Sequence, residues 1–191
     1  MTEGRGRHVL AAAVVVAAMA AILAAMGRSW WCAAGDSNLW SSEVWSRHNS
    51  QHLVDPYTFT HVLHGLVFYA LVWLVVRGRA GGVVRWWIGF AIEVAWEVIE
   101  NTDALLERYR GTTVSLDYFG DSIVNSIGDV LAYVAGYWVA GVIPVWASIV
   151  TFVLVDGALV LWIRDSLVLN VVMLLFPIEA LREWQSRAQG G

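Results

Sequence analysis

Three stretches of the sequence carry ionisable groups at helical spacing. His61 and His64 stand at i and i+3. Glu93, Glu97 and Glu100 stand at i, i+4 and i+7 with Asn101 beside them, and Asp117, Asp121, Asn125 and Asp129 follow at intervals of four. On helices each set falls on one face. Carboxylates repeated along one face are the oxygen ligands that hard divalent cations such as Mg²⁺ use, and such ions bridge to phosphate oxygens. The imidazoles add a general base or a ligand for a softer metal, and Arg110 or Arg164 could meet a phosphate. The candidate catalytic groups are therefore His61, His64, Glu97 and Asp121. Candidate metal ligands are Glu97, Glu100, Asp117, Asp121, Asn125 and Asp129, and candidate substrate contacts are Asn101, Arg110, Arg164 and Asn170. No nucleophile signature, phosphate-binding loop, dinucleotide fingerprint or His-Glu-x-x-His string accompanies them, so the pattern names no reaction.

The elements that must hold these groups are membrane helices. The chain of 191 residues is 58% hydrophobic and 15% charged, too little charge to cover a water-soluble domain. Its apolar runs match the roughly 20 helical residues that cross a bilayer core of about 30 Å. An all-α bundle of about six spans in one domain, residues 1–191, is expected. The spans are Val9–Met26, His61–Val76, Val83–Asn101, Asp117–Val142, Trp146–Ile163 and a shorter Leu167–Leu181. Five remain if the first is a cleaved signal, but its 18 apolar residues favour a retained helix. Residues 27–60 form a polar loop with room for an interfacial helix. The twelve Trp suit headgroup anchoring, and Gly128, Gly136 and Gly141 suit close helix packing.

There is no Lys, so orientation rests on Arg. Arg5, Arg7, Arg77, Arg79, Arg85, Arg182 and Arg187 fall on one side of a six-span chain, which should be the cytoplasm, with both termini there. His61, His64, Glu97, Glu100, Asn101, Asp117, Asp121, Asn125, Arg164, Asp165 and Asn170 then share the extracytoplasmic depth. Glu93 and Asp129 sit deeper, since eight helical residues descend about 12 Å. A carboxylate at mid-membrane costs about 2.5–3.5 kcal/mol, so several in one small protein must face one another, water or an ion. No basic, aromatic-rich patch supports nucleic-acid binding. The single Cys32 excludes an internal disulfide, and no Cys-based metal spacing is evident.

The strings "HLVDPYTFTHVLHG", "WE..EN", "GDS..NS.GD" and "WIRD.L.LNV.ML", spread over nearly the whole chain, resemble an uncharacterised family of multi-pass inner-membrane proteins of alphaproteobacteria. The order of Asp55, His61 or His64, Tyr69, Glu97 with Glu100, Arg110, Asp117 or Asp121, Asn125 and Gly128 is also similar to that of VanZ-like membrane proteins. Asp129 after Gly128 and the Glu100-Asn101 pair depart from the VanZ-like pattern. The resemblance implies a multi-pass fold and no particular activity.

Two functions fit this pattern. One is an intramembrane enzyme or lipid-headgroup binder at the outer leaflet, holding a divalent cation and a lipid or envelope precursor. The other is a non-enzymatic transport, proton-relay or envelope partner protein, in which the polar stripes are an interhelical hydrogen-bond network. Depth separates them. A polar track reaching the cytoplasmic side favours transport, whereas a closed outer pocket favours the binder or enzyme.

Overall fold

The computed structural model describes residues 2–76, 79–113 and 118–187, with side chains from Gly4. Its helices are α1 (Thr2–Ala25), α2 (Thr58–Val76), α3 (Gly82–Glu100), α4 (Asp103–Thr112), α5 (Ile123–Val142), α6 (Val145–Ile163), α7 (Leu167–Leu175) and α8 (Glu179–Ser186). No strand occurs among the described residues; one isolated bridge joins Trp40 to Val54.

Helix ends follow local chemistry. Gly27, at φ 84°, takes the left-handed position just after α1, where a Cβ would be strained. Ser122 and Ser166 cap α5 and α7, accepting from the backbone N–H of Asn125 and Leu169. Pro144 stands between α5 and α6 and starts the second of them.

Four helices, α1 from Gly4 together with α2, α5 and α6, are long and apolar enough to cross a membrane. α3 has the same 19-residue length as α2 and α6, but carries Arg85 and three glutamates. The bundle is inverted relative to a water-soluble protein. Leu161 on α6 is 88% exposed, whereas Glu93 and Glu97 of α3 are fully buried. Such an exterior requires lipid around it. Exposed Trp73, Trp138 and Trp146 lie at the end of the bundle where α1 begins, and Trp30, Trp40 and Trp162 at the other, as interfacial belts require.

α2 and α5 are the central pair and touch backbone to backbone. A Cβ built on Gly65 would overlap the Tyr133 carbonyl, one on Gly136 the Val62 carbonyl, and one on Gly128 the Leu53 carbonyl. Gly136 thus does the close helix packing expected of it, whereas Gly128 packs against Leu53 in the segment before α2. Gly141 does neither, since its Cβ would meet only Tyr69 at an ordinary 3.6 Å. Below the polar residues, Met19, Leu23, Phe90, Val130 and Tyr133 fill the bundle.

Two expectations are corrected here. The sixth span does not cross. α7 stops after nine residues, about 14 Å of helix, because Pro177 disfavours helix in the residue before it. α8 then turns back, and Gln185 Nε2 donates to the Arg164 carbonyl at 3.0 Å and to Asp165 Oδ1 at 3.3 Å. Five long helices remain, so the C-terminal segment lies at the Arg164 end while α1 begins at the other, where Trp87 Nε1 donates to His8. The described ends of the chain therefore lie at opposite ends of the bundle, with Arg182 and Arg187 at the same end as Arg164. Second, no helix forms between residues 27 and 57; that segment folds over the end of the bundle as an irregular roof.

Candidate functional site

The three polar stripes meet under this roof, because the last turns of α3 and the first turns of α2 and α5 lie side by side. His61 Nδ1 lies 2.7 Å from Glu93 Oε1, and His64 Nδ1 lies 3.0 Å from Glu93 Oε2. Glu93 was expected at a deeper level; the helices are offset so that both histidines reach it. It is the acceptor that fixes both rings.

On the other flank, Asn101 Nδ2 donates to Asp121 Oδ2 and Asn101 Oδ1 accepts from the Asp121 backbone, both at 2.8 Å. Tyr118 Oη donates to Asp121 Oδ1 at 2.9 Å. Between the flanks lies Glu97, fully buried, with no hydrogen bond to either carboxylate oxygen. His61 Nδ1 does come within 3.2 Å of Glu97 Oε1, but its single hydrogen is directed to Glu93. Asp129 Oδ1 is likewise without a partner. His61 Nε2 and Asp129 Oδ2 face each other across 3.8 Å, too far for a hydrogen bond.

Ligand-type atoms of His61, Glu97 and Asp129 all lie within 4.8 Å of one another, as do those of Glu97, Glu100 and Asp121, and those of His61, His64 and Glu93. Glu97 belongs to two of these groups. Five buried carboxyl groups against two imidazoles cannot all ionise without a cation or protons.

His61, His64, Glu100, Asp121 and Asp129 line one end of a cavity of about 360 Å³ bounded also by Tyr57, Tyr109, Tyr118, Asn49 and Ser50, while Glu93 and Glu97 stand behind them and do not line it. Its other wall is apolar, with Val67 and Phe68 of α2, Trp96 of α3, and Leu167, Val171 and Leu174 of α7. The phenols outside the spans stay protonated donors. Burial, then Asp165, holds Tyr57 well above the ordinary phenol range, and burial, then nearby carboxylates, does the same for Tyr109 and Tyr118.

The roof is fastened to α5 by side-chain bonds. Ser122 Oγ donates to the Gln51 carbonyl at 3.1 Å and Asn125 Nδ2 to the His52 carbonyl at 2.7 Å. Asp55 accepts from the backbone N–H of Ser50 and Thr58, both at 3.1 Å, so one carboxylate ties the roof to the start of α2. Burial, with Asp121 nearby, pushes Asp55 up to about 6. Burial also pushes Asp165 up to about 6, although Tyr57, Ser166, Asn170 and Gln185 all donate to it.

Of the residues singled out from the sequence, His61, His64, Glu97, Glu100, Asn101, Asp121 and Asp129 come together, and Asn170 reaches the cavity wall. Asn125 is at the rim, holding the roof. Asp117 lies outside the described residues. The two arginines do not enter. Arg110 donates to the Tyr118 carbonyl and stacks over Phe119. Arg164 sits at φ 52°, a left-handed helix end that aims it at Trp184. Sequence reasoning passed over Tyr57, Tyr109, Tyr118 and Trp96. Tyr57 stands within the "DPYTFTH" string, a signal that could have found it.

No solved structure matches this chain. A UPF0314 protein of Paracoccus denitrificans is 51% identical over 164 residues, covering 84% of this chain and 83% of that protein. One of Rhizobium meliloti is 45% identical, covering 84% and 81%, and one of Sphingopyxis alaskensis is 40% identical, covering 93% and 94%. The VanZ-like order of motifs gains no support from these matches. The family profile described as protein of unknown function (DUF2585) spans residues 23–187, from the last turn of α1 through every element that builds the site, and the chain belongs to that family.

Proposed function

We propose that the protein binds a divalent cation together with a phosphate-bearing amphiphile, cation and phosphate at the acidic end of the cavity and apolar tail along α7. The observation that carries this reading is Glu97, wholly buried and without a hydrogen bond to either oxygen, where two ligand groups meet. An uncompensated buried carboxylate is strongly disfavoured; an ion between Glu97, Asp129 and His61 Nε2 compensates it. Glu93 on His61 Nδ1 is then the outer carboxylate that metal-bound histidines commonly keep. With Arg110 and Arg164 turned away, no arginine among the described residues lines the cavity, so a phosphate there needs a metal bridge. The polar groups end at Glu93 and Asp129 above a packed apolar layer, which favours a closed pocket over a conduit.

Titration of the metal-depleted protein in detergent with Mn²⁺, read by electron paramagnetic resonance, tests the cation. About one ion should bind in the acidic site. Its affinity should fall by at least about 10-fold in Asp129→Asn, by analogy with the 10–100-fold losses on altering groups around a metal. An anionic phospholipid should perturb the signal and inorganic phosphate should do so less. Unchanged binding in the variant, or no effect of lipid, overturns the reading.

We also propose that the site faces the extracytoplasmic side. Arg5 and Arg7 stand in the first turns of α1, ahead of its apolar run, the first span usually dominates orientation, and five crossings then put the C-terminus outside. A C-terminal alkaline phosphatase fusion should be active and a C-terminal green fluorescent protein fusion dark. The reverse result places the site in the cytoplasm.

A further inference from the structure

A second cluster of ligand-type atoms lies in the roof, apart from the acidic site. Cys32 Sγ is 3.5 Å from His48 Nδ1, and that nitrogen is 3.3 Å from His52 Nε2. Cys32 and His52 are buried and His48 half-buried, and the three atoms all lie within 4.8 Å of one another. Hydrogen bonding alone does not account for them. His52 Nδ1 is 2.7 Å from the Asn38 carbonyl, and a carbonyl only accepts, so that nitrogen carries the proton and neutral His52 presents a bare lone pair at Nε2. His48 Nδ1 carries at most one proton. If it donates to His52, the thiol has no acceptor there; if it accepts from the thiol, two nitrogen lone pairs face each other.

We propose that Cys32, His48 and His52 bind one Zn²⁺ ion. Tetrahedral Zn²⁺, with Zn–N of about 2.0–2.1 Å and Zn–S of about 2.3 Å, sets its ligand nitrogens about 3.3 Å apart and nitrogen and sulfur about 3.6 Å apart. The two edges at His48 Nδ1, 3.5 Å to Cys32 Sγ and 3.3 Å to His52 Nε2, match that spacing, and the third, between Cys32 Sγ and His52 Nε2, lies within 4.8 Å. The bond from His52 Nδ1 to a backbone carbonyl is the one that orients a metal-bound histidine. The sequence does contain a Cys-based metal spacing after all: Cys32, then His48-x-x-x-His52.

The ion ties the beginning of the roof to its end. Residues 50–52 are those whose carbonyls hold Ser122 and Asn125 of α5, so the ion fixes the cover of the cavity. Thiolate and imidazole select a softer ion than the carboxylates below, and the two sites are separable.

Co²⁺ added to the metal-depleted full-length protein in detergent should produce a thiolate-to-cobalt charge-transfer band, displaced by about one equivalent of Zn²⁺. Cys32→Ser should abolish the band and weaken Zn²⁺ binding at least about 100-fold, beyond the upper range for groups that only touch a ligand. Glu97→Gln and Asp129→Asn should retain it. In the unmodified protein, Zn²⁺ should slow alkylation of Cys32, a readout that needs no variant. Equal alkylation rates with and without Zn²⁺, or no thiolate-to-cobalt band in the unmodified protein, overturns the assignment without bearing on the acidic site.

Discussion

Gly136→Ala should lower the stability of the protein by about 3 kcal/mol or more, the upper end of overpacking effects, and should disturb the polar site at the same time. The added Cβ would overlap the carbonyl and other backbone atoms of Val62. Backbone cannot move aside as the tip of a side chain can, so α2 and α5 must separate. His61 rides on α2 and Asp129 on α5, one residue before Val62 and seven before Gly136. Separation therefore widens the gap that the cation is proposed to fill. Small residues are what let membrane helices approach this closely. Gly141→Ala, one turn further on and meeting only Tyr69 at 3.6 Å, should change stability by about 0.5 kcal/mol or less. Reversible unfolding of both variants in mixed micelles measures the difference. Equal stabilities would mean that the two helices do not touch as described.

Gly65, on the facing helix, shows why such positions are only partly legible in a sequence. Gly128 and Gly136 can be read as packing residues because they recur on one face of a recognisable span. Gly65 stands alone, and only the crossing point of α2 and α5 reveals that its Cβ would meet Tyr133. The polar stripes were legible for a comparable reason. Periodicity puts Glu93, Glu97 and Glu100 on one face, and the insertion cost of carboxylates makes that face converge with the others.

Offsets between helices are not encoded in any one helix, so the meeting of Glu93 with both histidines could not be read. The roof was opaque throughout. Residues 27–57 have no periodicity, and their burial comes from bonds to α5 some seventy residues away. α7 was misread because hydropathy runs on past the point where Pro177 ends the helix. Arg164 was misread because residue type suggests a phosphate partner, while a left-handed helix end decides where the guanidinium goes.

Glu97→Met should make the metal-free protein more stable, by about 1–4 kcal/mol, the range seen when buried charged groups give way to apolar ones of similar volume. Glu97 has no hydrogen bond to lose, and its removal leaves one fewer negative charge among Glu93, Glu100, Asp121 and Asp129. Saturating Mn²⁺ should reverse the ranking: at a thousandfold excess over its dissociation constant a ligand adds about 4.1 kcal/mol to a protein that binds it, and the variant should gain nothing. Glu93→Met is the counterpart. It strips the acceptor from His61 and His64, each within 3.0 Å of it, and bonds to charged groups contribute about 1.5–3 kcal/mol apiece. That variant should be less stable by about 3 kcal/mol with or without the ion. Chemical unfolding in detergent, with chelator and with Mn²⁺, gives all four values. If Glu97→Met loses stability as Glu93→Met does and neither wild type nor variant responds to the ion, Glu97 is one more member of a structural network. A gain without metal and a loss with it is the signature of a residue kept, against the stability of the fold, for a cation.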